Sequence, residues 1–420
     1  MATGGANSEE LGKPGFLHAE SAKRRLAPLM RLWRMGIETK LAQTPRPYDE
    51  PNVSARGKNS DRILIFGAGL AVGWGVTTHD LALPGFLARS LSSLTGRGTD
   101  VDVVAHPDNR LDGALEQLRA MRLWRYDAVV IVLGVNEALE LVQLEKWRHD
   151  LSELLAELGE VVRAPVLVVA IPKIRSIPVY NSALGGLAES HAAGLNRESA
   201  QVCAVTPHAV FVPLPHLAFP ARHRHRGPES YADAATVIAS ALAPALEHSP
   251  HETDDPYRPF PHDEAEAEAE RQAAVDSIDL SDVEFRRALD ELLGITQASL
   301  QVRMAVLTVL DHDKQLIRTS TRTPITELPR AGSFCDTTIR LRGGMVVPDA
   351  LDDERFRDYP LVAGDPAFRY YAGFPIESPS GERIGALCVF DPEPREADEA
   401  DLTRLRDLAL MVQRRLRTSD

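Results

Sequence analysis

Arg62-Ile-Leu-Ile-Phe-Gly-Ala-Gly-Leu-Ala-Val-Gly-Trp-Gly-Val76 is the stretch on which the reading of the first half of the chain turns. Its start is an apolar, β-branched run, the pattern of a buried strand. The run opens into a loop with glycines at 67, 69, 73 and 75. A strand that ends in such a loop before a helix sets backbone N–H groups at the mouth of an α/β sheet, where ligands bind. Outward from this stretch, residues 61–246 alternate strand and helix. Strands are expected at 62–66, 101–105, 127–133, 165–171 and 209–212. Helical patterns lie near 80–96, 111–123, 144–160, 184–199 and 229–246. This alternation predicts a parallel sheet with helices on both faces.

The same stretch resembles the first motif of the SGNH (GDSL-type) hydrolases: a strand, Gly-Asp-Ser, then Gly-x-Gly a few residues on. Here the triplet is Gly67-Ala68-Gly69. The resemblance implies a flavodoxin-like, doubly wound parallel sheet. It also implies that the position of the nucleophilic serine is occupied by Gly69. A glycine has no side-chain oxygen to attack a carbonyl, whatever base stands beside it. The third strand ends in Val-Leu-Gly-Val-Asn-Glu137, against the family's Gly-x-Asn-Asp. Asn136 matches the residue that would donate to an oxyanion, a fixed N–H aimed where negative charge develops. The second oxyanion donor has no clear counterpart in Ala105-His-Pro-Asp-Asn-Arg110, and Gly113 is the nearest candidate. The family's final Asp-x-x-His would fall in Arg222-His-Arg-His-Arg-Gly-Pro-Glu-Ser-Tyr231. His225 stands six residues before Tyr231, and Arg222 takes the place of the acid. The acid of a triad stabilises the imidazolium, whereas a cation there disfavours it and lowers the pKa. His225 is equally readable as a surface histidine in a basic loop.

Two other readings compete for this region. Gly67-x-Gly69-x-x-x-Gly73 after a strand looks like a dinucleotide-binding loop, but no acidic residue ends the second strand at the usual distance. His208, His216, His223 and His225 raise the question of a metal. No carboxylate or Cys joins them at ligand spacing, so no metal and no cofactor are expected.

The flanks are plainer. Residues 1–16 are small, polar and Gly-rich and are expected to be disordered. From 17 to 46 the chain is basic, and Leu26, Met30, Trp33, Ile37 and Leu41 form one apolar helical face, with Pro28 suited to a first turn. This helix either meets a membrane surface or acidic partner, or packs on the following domain. Residues 45–60 read as a loose connector. Residues 247–270 hold nine acids and one Arg, with prolines at 250, 256, 259 and 261, and read as a linker whose end, Asp-Glu-Ala-Glu-Ala-Glu-Ala-Glu270, can seed a helix running through Arg271-Gln-Ala-Ala-Val275,. The expected division is therefore 1–60, 61–246, 247–270 and 271–420.

After 270 the pattern changes. Phe285, Leu289, Leu292, Leu293 and Ile295 suggest a helix. Val302–Leu310 and Gln315–Ser320 read as a hairpin around Asp311-His-Asp-Lys314. Residues 383–390 form a further strand, and Leu402, Leu405, Leu408, Val412 and Leu416 a closing helical stripe. This predicts an α+β domain with helices on one face. Ser333-Phe-Cys-Asp-Thr-Thr-Ile339, Val346-Val-Pro-Asp-Ala350, Asp353-x-Arg355-Phe356, Pro360-Leu-Val362, Arg369-Tyr-Tyr-Ala-Gly373 and Gly385-Ala-Leu-Cys-Val-Phe-Asp391 occur in that order. The series resembles a GAF domain of bacterial signalling proteins. The resemblance implies a small-molecule pocket, for which Cys335, Asp349, Arg355, Arg369 and Tyr371 are the candidates, or a dimer-forming module pairing through its terminal helices. The Asn-Lys-x-Phe-x-Asp-Glu signature of cyclic-nucleotide members is missing. Cys335 and Cys388 could bind a bilin or sense redox state, but sit in apolar settings where a Cys usually acts as a small hydrophobe. They lack the cysteine arrangement of the GAF relative that reduces free methionine sulfoxide. Asp349, Asp353 and Arg355 could equally fix a loop.

Bulk properties set the frame. The 420 residues suit two or three domains, and 44% are hydrophobic,. A net charge of -13 argues against nucleic-acid binding,. Only three Cys occur, widely spaced, so no disulfide framework is indicated. No signal peptide or membrane-spanning run is seen, and a cytoplasmic location is expected. The expectation is a non-catalytic sensory or regulatory protein that holds an unidentified small molecule, using Gly67, Gly69, Asn136 and His225 in the first domain. The alternative is an esterase with residual or unusual activity, regulated by the GAF domain.

Overall fold

The computed structural model of the chain describes residues 14–161, 165–215, 217, 227–246, 264–278, 283–320, 326–341, 343–396 and 399–417. It divides into two compact units, Met1–Ala55 with Asp61–Ser249, and Arg56–Ser60 with Pro250–Asp420. Among the described residues no helix is long and apolar enough to cross a membrane.

The first unit is α/β. Its elements are α1 (Pro14–Leu41), β1 (Asn52–Ala55), β2 (Lys58–Gly67), α2 (Leu83–Thr95), β3 (Arg97–Ala105), α3 (Ala114–Arg119), β4 (Ala128–Val132), α4 (Val135–Glu140), α5 (Leu144–Val161), β5 (Val166–Val169), α6 (Ala183–Val205), β6 (Ala209–Val212) and α7 (Pro228–Leu246). The sheet order is β1-β3-β2-β4-β5-β6. β2, β4, β5 and β6 run parallel, and β1 lies antiparallel on β3 at the edge. The strands read as unbroken apolar runs because both faces are covered. Leu64, Phe66, Val129, Ile131, Val166 and Val168 face one core, with α5 and α6 supplying Leu151, Leu155 and Leu195. Ile63, Ile65, Val101, Val130, Leu167 and Val169 face the other, against Leu87 of α2 and Ile238 and Leu242 of α7. Each such side chain contributes roughly 1.5–3 kcal/mol by leaving water.

Several expectations need correcting here. The supposed connector 45–60 contains β1, whose Val53 and Ala55 are buried in alternation, and the first residues of β2. α1 begins at Pro14, within the segment read as disordered, and Pro28 lies inside it rather than in its first turn. Met30 and Ile37 are fully or nearly buried, and Leu26, Trp33 and Leu41 pack on the same core. The helix therefore spends this face on its own unit, and Leu29, Leu32 and Met35 remain exposed. The expected helix 111–123 is broken into a 3-10 turn at Leu111–Gly113, the short α3 and a second 3-10 turn at Leu123–Arg125.

The second unit is α+β. It contains α8 (Glu264–Asp276), α9 (Val283–Leu300), β7 (Met304–Asp311), β8 (Lys314–Ser320), β9 (Glu327–Pro329), α10 (Phe334–Arg340), β10 (Met345–Val347), α11 (Pro360–Ala363), β11 (Tyr370–Glu377), β12 (Arg383–Asp391) and α12 (Glu399–Arg417). Its antiparallel sheet has the order β10-β11-β12-β7-β8-β9. Leu289 and Leu293 of α9 and Leu405, Leu408, Val412 and Leu416 of α12 cover one face, on Ala305, Leu307, Tyr370 and Leu387. The closing apolar stripe thus lies on its own sheet. Helices are not confined to that face. α10 and the 345–368 segment cover the other, where Phe334, Phe356, Phe368, Tyr371 and Phe390 pack against Val306 and Cys388. The boundary drawn at 270/271 cuts through α8. Glu268 of that helix accepts from both Arg271 and Arg330, and Arg271 Nη1 donates to Leu310 O at 2.6 Å.

Candidate functional site

The C-terminal ends of β2, β3 and β4 meet at one rim of the parallel sheet. Gly67 closes β2 with φ +148°, and a Cβ there would stand 2.0 Å from Val132 O. Only glycine permits that approach. It lets the Ala68 N–H reach Val132 O at 2.8 Å. Gly67 O in turn accepts from His106 N and from Asn109 Nδ2, both at 3.1 Å. The loop after β3 is thereby fastened to the end of β2.

Asn136, in the first turn of α4, is 7% exposed. Its Nδ2 donates to Pro107 O at 2.8 Å and to Asn109 O at 2.9 Å. Both donor hydrogens are spent on the β3 loop, so the side chain positions that loop. Glu137 beside it is 4% exposed. Its Oε1 accepts from the Leu111 N–H at 2.7 Å, while Oε2 is buried with no hydrogen-bond partner among the described residues. Burial raises the carboxyl above its ordinary value, against the lowering pull of the Leu111 and Glu137 backbone N–H groups and of Arg110. Glu140, at the end of α4, ties Arg34 of α1 and Arg110 of the β3 loop together. Gly113, the sequence candidate for a second oxyanion donor, is the N-terminal cap of α3 and has no left-handed backbone.

Gly69 begins a 3-10 turn, Gly69–Val72, with φ +59°. Its Cβ position points at Val135 Cγ2, 3.3 Å away. A small, open and mainly apolar pocket lies over this glycine. Leu41, Leu70, Val135, Ile177, Val179 and Tyr180 make most of its wall, with Thr44, Trp74 and Pro172. Among the described residues, no ionisable side chain other than the Tyr180 phenol lines it. Such a space suits the apolar part of a small molecule. Sequence reasoning missed most of this wall, because it is assembled from the end of α1, the 3-10 turn, the start of α4 and the segment after β5. Gly69 was named from its motif, and Leu70, Trp74 and Val135 were in reach, since each flanks a motif glycine. Elsewhere in this unit, the His79 ring Nδ1 lies 2.7 Å from Asp49 Oδ1, and Asp49 also accepts the His79 N–H. Arg222 and His225 lie outside the described residues, as do His216 and His223.

In the second unit the five sequence candidates do not converge. Asp349 is paired with Arg369, Nε to Oδ1 at 2.5 Å, and accepts the Leu351 N–H at 3.1 Å. The hydrogen-bonded guanidinium holds the Asp349 carboxyl below its usual range. Asp353 forms its own pair with Arg355, at 2.7 Å for Nη2 to Oδ2, which lowers it likewise. Both ion pairs lie in the segment 349–369, between the end of β10 and the start of β11. Cys335 and Tyr371 are fully buried. Phe334 stacks on Tyr371 and on Phe356, with ring centroids 4.6 and 4.2 Å apart. The two cysteines, distant in sequence, are neighbours: Cys335 Sγ and Cys388 Sγ are 3.1 Å apart.

Residues 65–237 match the GDSL-like lipase/acylhydrolase family, and residues 284–416 match the GAF domain family. Among curated proteins, a cyclic di-GMP phosphodiesterase of Pseudomonas aeruginosa is 38% identical over 161 residues. The match spans 38% of this chain and 27% of that protein, about a quarter of its length. Among solved structures, TesA aligns at 17% identity over 44% of this chain and 99% of its own, with a TM-score of 0.36. The free methionine-R-sulfoxide reductase of Neisseria meningitidis aligns at 17% identity over 36% and 87%, with a TM-score of 0.29. The GAF domain of an Acinetobacter phosphoenolpyruvate-protein phosphotransferase aligns at 17% over 37% and 94%, with a TM-score of 0.27.

Proposed function

From a chain that carries a GDSL-like domain followed by a GAF domain, we propose a sensory or regulatory protein whose first domain holds a small, mainly apolar molecule without hydrolysing it. The observation that carries this reading is the pocket over Gly69: apolar walls surround a position that offers no hydroxyl to an acyl group. Asn136 supports it, because both of its donor hydrogens already serve the β3 loop. The partial likeness to a phosphodiesterase of cyclic di-GMP supports a signalling setting. The occupant of the pocket is the acyl part of a short ester or carboxylic acid, laid against Leu41, Leu70, Val135 and Ile177.

The test uses the full chain with p-nitrophenyl butyrate and hexanoate. Hexanoate is expected to raise the melting temperature with concentration, by mass action on the folded state, and to change Trp74 fluorescence in wild type but not in Trp74→Phe. The native chain should release no p-nitrophenol and carry no butyryl adduct by mass spectrometry. An adduct on the native chain would overturn the non-catalytic reading. The GDSL-like match favours a second reading, a residual esterase. It predicts release that disappears in Asn136→Ala and His225→Ala. Release gained only by the Gly69→Ser/Ala68→Asp/Arg222→Asp chain would mark a lapsed enzyme.

A further inference from the structure

The core of the second unit holds two thiols that neither the pocket nor its ligand uses. Cys335 is the second residue of α10, whose first turn is capped by Ser333 Oγ accepting from Asp336 N. Cys388 stands in β12, a central strand paired with both β11 and β7. Both side chains are 0% exposed. Their sulfurs are 3.1 Å apart across 53 residues of chain, and must close by about 1 Å to reach the ~2.05 Å of a disulfide. Around them the polar groups are hydroxyls. Tyr371 Oη is 3.3 Å from Cys388 Sγ and 3.8 Å from Cys335 Sγ, and shares a 2.7 Å hydrogen bond with Thr338 Oγ1. Thr308 Oγ1 lies 3.9 Å from Cys388 Sγ.

We propose that Cys335 and Cys388 are a reversible dithiol–disulfide pair, oxidised by hydrogen peroxide and reduced by exchange with a dithiol, which locks the first turn of α10 to β12. The two thiols are not equivalent. Burial pushes the Cys388 thiol well up. Burial also acts to raise Cys335, but hydrogen bonds from Cys388, Thr308 and Tyr371 outweigh it and bring that thiol below the ordinary cysteine value. Thiolate character selects the attacking sulfur, and Cys335 stands on a short helix while Cys388 is held in a strand paired on both sides, so Cys335 is the one that meets the oxidant first. Its thiolate attacks one peroxide oxygen, the O–O bond breaks, and the leaving hydroxide takes a proton to become water; Cys335 is then a sulfenic acid. The Cys388 sulfur attacks the sulfenic sulfur, the S–O bond breaks, and a second water leaves with the Cys388 proton. The pair loses two electrons and the peroxide gains them. Because both sulfurs are enclosed, the peroxide enters when α10, a helix of seven residues, opens locally.

The experiment treats the reduced full chain with hydrogen peroxide, quenches it, and counts thiols after denaturation. The count is expected to fall from three to one. A peptide map should show the Cys335 and Cys388 peptides joined and lighter by two hydrogens, and dithiothreitol should restore all three thiols. In Cys388→Ser, whose hydroxyl still donates to the Cys335 sulfur but cannot form a disulfide, Cys335 should accumulate as a dimedone-reactive sulfenic acid; in Cys335→Ser, Cys388 should stay unmodified. A count that remains at three, a bridge that includes Cys203, or a sulfinic acid at Cys335 of the native chain would each overturn the proposal. The wild-type map decides the matter even if either variant fails to fold.

Discussion

At the residue scale, one carbonyl and one carboxylate set the demands on the rim of the first sheet. A methyl group at position 67 would meet Val132 O at 2.0 Å, on a backbone at φ +148°, so the β2–β4 junction must shift to admit it. Gly67→Ala is expected to cost roughly 2–5 kcal/mol in urea denaturation, from overpacking and backbone strain together. Glu137 gives a pH-dependent counterpart. Its folded carboxyl is raised above the ordinary 4.5 by burial. Its contribution to stability is then fully present below 4.5 and is lost as pH rises through the folded value. Glu137→Gln retains an acceptor for the Leu111 N–H and cannot ionise. Denaturation midpoints of wild type should fall relative to the variant as pH rises from 4.5. Parallel midpoint-against-pH curves for the two proteins would contradict this.

At the element scale, α8 shows how a charge-rich segment becomes part of a fold. Its sequence, with alternating Glu and Ala at the end of an acidic linker, announces a helix but nothing for that helix to pack on,. The decisive partner, Arg330, comes from a loop 62 residues on, a distance that no local pattern registers. Partial burial acts to raise Glu268, but the Arg271 and Arg330 guanidiniums outweigh it and hold the carboxyl at about 2. The sign is opposite to that of Glu137. The stabilisation is complete above 4.5 and drains away as pH falls towards 2. Glu268→Gln should flatten the stability curve in that window, with the wild-type and variant curves converging at its acid end, as read by thermal melts in matched buffers. α9 shows the opposite case, where the pattern was largely readable. Leu289 and Leu293 are buried as their helical spacing implies, while Ile295, assigned to the same apolar set, is 51% exposed. A hydrophobic residue is free to lie off the stripe because folded surfaces carry many apolar atoms.

At the scale of the whole molecule, what was legible is what repeats locally. Apolar runs such as Ile63–Phe66 and Ala128–Val132 announced strands covered on both faces, and the change of pattern after 270 announced a second sheet. The glycines at 67, 69 and 134 marked the rim because their backbones are possible for few other residues. The parts that escaped are those made by folding itself. The pocket wall gathers residues from position 41 to position 180, and the cysteine pair joins positions 335 and 388. β1 was lost among prolines, since its Val53 and Ala55 alternate over only four residues. Asn136 was found by its motif, but its partners, two carbonyls of another loop, were beyond reach.

Those partners have a consequence for motion. Ala68 is bonded to Val132, His106 and Asn109 to Gly67, Leu111 to Glu137, and Asn136 to Pro107 and Asn109. The three strand exits are laced into a single collar, and no lace can be undone without loosening its neighbours. Hydrogen–deuterium exchange at the amides of Ala68, His106 and Leu111 should therefore follow one shared opening free energy, and Asn136→Ala should lower protection at all three together. Whatever settles beside Gly69 would grip a ring, and the ring would carry that grip into α4.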